Sequence, residues 1–101
     1  VSYPVAPTQY ASLSTDDLQQ ELCNLTSDLI NHRKDHARLA AQINEQFFQV
    51  FLDSNGESVA GRNRLAEAST SILEQERIVV EANVMCHVDL ITLVQTLLKG
   101  R

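Results

Sequence analysis

Leu18, Leu22, Leu25, Leu29, His32, His36, Leu39, Ile43, Gln46 and Val50 follow one another in alternating steps of four and three. That period lays them along a single stripe of an α-helix, the seam of a coiled coil or helical bundle, with His32, His36 and Gln46 as its polar interruptions. Val80, Val84, His87, Ile91, Val94 and Leu98 keep the same step further on. Between the two stretches stands Asp53-Ser54-Asn55-Gly56-Glu57-Ser58, and neither flank contains a proline. Asn55 and Gly56 tolerate the positive φ of a tight reversal. The pattern therefore predicts an all-α chain, a long antiparallel two-helix hairpin of coiled-coil type.

Boundaries follow from capping chemistry. Ser14 precedes Asp16 and Asp17, a hydroxyl cap followed by carboxylates that suit the positive end of the helix dipole. Ser58 is the matching cap of the second helix. Lys99 suits that helix's negative end, and Gly100 its C-terminal cap. The expected organisation is an extended N-terminal arm over 1–13 and a helical hairpin over 14–101, made of a helix over 14–52, a turn over 53–58 and a helix over 59–99. The first helix would be about 60 Å long. If the chain reverses near Gly56, facing residues sum to about 112, within about one helical turn. His36 then falls near Glu76, Leu25 near His87, and Arg38 within reach of Glu74. Phe47, Phe48, Phe51 and Leu52 widen the stripe beside the turn, so that end is expected to be the best packed.

The second helix does not fit a single stripe. From Val79 onward it is heavily apolar, and residues outside the heptad spill onto a second face. Two helices alone bury too little surface to offset chain entropy in so small a domain. The uncovered face predicts completion as a four-helix bundle by oligomerisation, as a dimer or tetramer. The expected interface residues are Leu22, Leu25, Leu29, Val84, Ile91, Val94 and Leu98.

Composition narrows the chemistry. In 101 residues the formal net charge is −5, which argues against sequence-independent nucleic-acid binding and against an anionic membrane surface. No apolar run approaches about 18 residues and no signal peptide is visible, so no membrane partner is expected. Cys23 and Cys86 lack CxxC spacing and read as reduced thiols in a cytoplasmic protein. His32 and His36, four apart on one helix face, are weak candidates for a metal pair. Seam histidines more often form polar layers that fix register, so neither metal nor cofactor is expected. There is no phosphate loop, GxSxG, HExxH or calcium loop, and long helices offer no concave pocket, so an enzyme is not expected. Arg62 and Arg64 near the turn form a basic face, a possible recognition surface for acidic groups of a partner.

Ser58, Val59, Ala60, Arg62 and Ala66, followed by Glu74, Glu76 and Glu81, resemble a pattern in small helical-hairpin proteins of tailed bacteriophages and prophages, in which a turn leads into "SVAxRxxxA" and a Glu-rich helix. The resemblance spans roughly residues 16–98. It implies a hairpin fold, a phage or prophage origin and residence in the host cytoplasm, with no activity to carry over. The chain departs from it at His32, His36 and His87, where Lys or Glu is usual. The function expected is a non-enzymatic, self-associating protein–protein interaction module, in a phage setting an accessory, assembly or host-modulating factor. The alternatives are an export- or secretion-chaperone-like binder of a partner's amphipathic helix and, least favoured, a nucleic-acid accessory protein using Arg33, Lys34, Arg38, Arg62 and Arg64.

Overall fold

A computed structural model describes residues 7–101, so Tyr3 and Val5 of the expected arm lie outside the described residues. Helix α1 spans Thr15–Asp53 and helix α2 spans Val59–Lys99. They pack along their lengths as an antiparallel hairpin about 65 Å long. Both predicted N-caps form. The Ser14 hydroxyl accepts from the Asp17 amide at 3.1 Å, and the Ser58 hydroxyl accepts from the Gly61 amide at 3.1 Å.

The heptad stripe of α1 is the observed seam. Leu18, Leu25, Leu29, Leu39 and Ile43 are buried, and His32, His36 and Val50 are half-buried. Gln46 is exposed at this seam, yet its amide crosses to α2 and donates to the Ser69 carbonyl at 2.7 Å. The register differs from the expected one by about three residues, less than one turn. Leu25 shares a buried cluster with Leu90, and His87 lies 4.0 Å from the Asp28 carboxylate, one turn along α1. Arg38 does not reach Glu74. It turns to Asp35 at 3.9 Å and Gln42 at 3.5 Å on its own helix, while Arg77 takes Glu74 at 2.9 Å.

The slip originates in the turn. No described residue has positive φ, glycines included. The helix instead runs on to Asp53, and Ser54 ends it by bonding the Val50 carbonyl through its amide at 3.1 Å and its hydroxyl at 2.7 Å. The Glu57 amide then closes onto the Ser54 carbonyl at 3.0 Å. Ordinary right-handed and extended backbone makes the reversal, so the left-handed conformation expected of Asn55 and Gly56 is not used. Gly100 likewise caps α2 with φ −76°.

Two further expectations are corrected. Residues Pro7–Ser12 form a 3-10 helix rather than an extended arm, and Tyr10 on it is 1% exposed. Arg101 ties this segment down by donating to the Leu13 carbonyl at 2.6 Å and the Ala11 carbonyl at 3.2 Å. The best-packed end is consequently the one bearing the termini, where Tyr10, Leu18, Leu25, Leu90 and Val94 make one buried cluster. Burying each of its leucines contributes about 1.5–3 kcal/mol. At the turn, Phe48 and Leu52 stay 63% and 62% exposed. Phe47, Phe48, Phe51 and Leu52 span more of α1 than one partner helix covers, and among the described residues no third element reaches them.

Candidate interaction surface

The seven residues expected at an interface between molecules are largely spent inside one. Leu25, Leu29 and Val94 are buried within the hairpin, and Leu22, Val84, Ile91 and Leu98 are half-buried along the same seam. The apolar surface left for another molecule consists of other residues.

Helix α1 has the expected solvent face. Gln20, Asn24, Lys34, Arg38, Gln42 and Glu45 are exposed along it. Helix α2 does not. The seam takes Ala66, Leu73, Val80, His87 and Val94, with Thr70, Arg77, Val84, Ile91 and Leu98 as the alternate positions. The helical period then puts Leu65, Ile72, Val79 and Cys86 on the far side, with Ala68, Gln75 and Ala82 between them and Ser71, Ile78 and Met85 alongside. None of these positions is charged. Ile72 is 70% exposed and Val79 53%, and Leu65, Ile78 and Met85 are exposed as well. The solvent side of a helix is where charges normally collect, so an uncharged one with large aliphatic side chains is the candidate interaction surface. An open groove of about 410 Å³ borders it, lined by Asp35, Arg38 and Leu39 of α1 and by Ile72, Glu76 and Val79 of α2.

All three histidines lie along the seam, and two of them meet. The His32 and His87 rings lie 4.7 Å apart, tilted by 58°. His87 Nδ1 is 2.8 Å from the Asn83 carbonyl. A carbonyl only accepts, so this nitrogen carries the proton and Nε2 faces Asp28. His36 does not pair with Glu76, because the register slip carries them past one another; its Nε2 is buried without a hydrogen-bond partner. Among the described residues no three His, Cys, Asp or Glu side chains are arranged to hold a metal ion. Cys23 and Cys86 are free thiols.

The two turn-end arginines have different fates. Arg62 folds back on α1, where Nε donates to the Phe51 carbonyl at 2.8 Å and the guanidinium sits 4.2 Å over the Phe51 ring. It satisfies one of the carbonyls that a helix end leaves open. Arg64 is exposed beside Glu57 and Leu65.

At the opposite end the Tyr10 hydroxyl is buried without a hydrogen-bond partner. Burial pushes its pKa above the ordinary tyrosine value, and the negative charge of nearby Glu21 pushes the same way. Sequence periodicity passes over Tyr10, Arg62 and Arg101 because each acts across the fold; the lone tyrosine among small residues at 8–12 is the only local signal.

By length and composition α2 is apolar enough to cross a membrane, with a window of mean hydropathy 1.4 of which 17% is buried. Unbroken apolar runs, the feature sought in the sequence, miss this because Glu81, His87 and Asp89 interrupt them. Comparison of the chain with protein-family models, with curated proteins and with solved structures gives no match.

Proposed function

We propose that this protein is a non-enzymatic helical module that works by associating with itself, two hairpins combining into a four-helix assembly. The observation that carries this is the uncharged, aliphatic far side of α2, from Leu65 to Cys86, on a chain of net charge −5. A protein this acidic keeps such a face free of carboxylates at a cost in solubility unless something covers it. The resemblance of Ser58–Ala66 to phage hairpin proteins supports an accessory, assembly or host-modulating role for the assembled form.

Sedimentation velocity over a concentration series tests the proposal. The expected result is a reversible rise from one chain to two or four. A chain still monomeric at about 100 µM would contradict it.

A further inference from the structure

We infer that the second copy docks α2 against α2, antiparallel, through the row Leu65, Ile72, Val79 and Cys86. This rests on the self-association proposed above and specifies its surface and direction.

The face has the period of a helix partner. Together with Ala68, Gln75 and Ala82, the row steps alternately by three and four over three heptads, about 33 Å of helix. A straight stripe of that period is what a second helix reads. The same stripe continues to Leu93, and there the chain covers itself: Leu93 is half-buried against the cluster that Tyr10 completes. From Leu65 to Val79 the row has no such cover.

Charge selects the occupant. Glu67, Glu74, Glu76 and Glu81 accompany the face along α2; Arg77 pairs with Glu74 at 2.9 Å and with Glu81 at 3.3 Å, which leaves Glu67 and Glu76 as the excess negative charge, and Arg64 stands at the edge of the face. Carboxylates so placed repel an anionic lipid surface. Across this uncharged face two copies of an acidic chain meet without bringing like charges together.

Side-chain size selects the direction. Parallel pairing sets each level against itself, Ile72 on Ile72 and Ala68 on Ala68, which leaves thick and thin layers. Antiparallel pairing sets large against small in the outer layers, Leu65 facing the partner's Ala82 and Val79 facing the partner's Ala68, and brings Ile72 against the partner's Gln75 at the centre, so no layer is left with two small side chains. With α1 on the opposite side of α2, the four helices lie in a row with the two α2 helices innermost. The contact is short for a stable interface, so exchange between one and two chains is expected.

The test is sedimentation of the full chain beside Ile72→Arg/Val79→Arg, with helicity followed by circular dichroism. Both sites are exposed, so helicity should persist while the dimer is lost. Ile72→Gln/Val79→Gln, a milder change, should weaken dimerisation at unchanged helicity and serves if the arginine variant unfolds. A wild-type chain that never dimerises overturns the self-association itself. A dimer as strong as wild type in either variant overturns this surface alone. Direction is read by oxidative cross-linking in a Cys23→Ser/Cys86→Ser background: Ala68→Cys with Val79→Cys should link the chains, and Ala68→Cys alone should not. Linking by Ala68→Cys alone overturns the antiparallel order. Pelleting of wild type with phosphatidylcholine–phosphatidylglycerol vesicles, abolished in Ile72→Arg/Val79→Arg, would give the face to a lipid surface and overturn the second copy as its occupant.

Discussion

The two ends of the hairpin are built from the same two helices and reach different densities of packing. At the terminal end a third element, the Pro7–Ser12 3-10 helix, lays Tyr10 across the seam and closes a cluster with Leu18, Leu25, Leu90 and Val94. At the turn end the richer supply of aromatic residues meets Ala66 and Thr70 on a single facing helix, and Phe48 and Leu52 remain in solvent. Apolar content alone does not make a core. A helix pair offers one line of contact, which buries Leu39, Ile43 and Ala66, and large side chains beside that line need a third wall.

The largest contrast is expected between truncations at the two ends. Leu90→Ala removes a side chain enclosed on all sides and should cost about 3–5 kcal/mol. Leu52→Ala, at the exposed end, should change stability by less than about 0.5 kcal/mol. Urea titrations of both variants measure this directly. Equal losses at the two positions would mean that the ends are packed alike and that the third wall adds nothing.

Tyr10 isolates that wall. Tyr10→Ala should cost about 3 kcal/mol by emptying its site. Tyr10→Phe keeps the ring and removes a buried hydroxyl that lies near the Glu21 carboxylate without a hydrogen bond of ordinary geometry, so it should change stability by less than about 1 kcal/mol. Alkaline titration adds a sign. The folded chain holds the Tyr10 proton more tightly than the unfolded chain, whose tyrosine has the ordinary value of 10.0. The contribution is complete below that value and is lost as pH climbs through the raised one. Wild type should therefore weaken above pH 10, and Tyr10→Phe should lose that dependence.

What the sequence disclosed divides along the line between local and long-range physics. Ser14 and Ser58 are caps by virtue of their neighbours three residues on, and both cap. The heptad from Leu18 to Val50 is a local period, and it is the seam. Register was legible only to within a turn, because it depends on how Ser54 and Glu57 close the reversal. Tyr10, Arg62 and Arg101 act on residues that only the fold brings near. The interaction surface was half legible: excess apolar residues on α2 were plain, but which of them the hairpin consumes depends on the α1 contact. Leu25, Leu29 and Val94, seam positions also expected at an interface between molecules, are buried within one hairpin, and the face left over begins one residue away from the seam, at Leu65 beside Ala66.

The smallest effects belong to the turn and sharpen the comparison from its poorer end. With few apolar contacts there, Arg62 supplies the tie between helices by capping the Phe51 carbonyl and covering the Phe51 ring. Arg62→Ala should cost about 1–2 kcal/mol, and Arg62→Lys should recover less than half, since an ammonium lacks the planar face and the fixed fork of donors. Gly56→Ala is the control. A Cβ at Gly56 would meet nothing within 4 Å, and its φ is not positive. It should leave stability unchanged or raise it by about 0.4–1 kcal/mol through the unfolded chain. Thermal melts of the three variants separate the possibilities. If Gly56→Ala destabilised the hairpin while Arg62→Ala did not, the reversal would depend on glycine's backbone freedom, and the poorer end would be held by its loop instead of by an arginine reaching back across it.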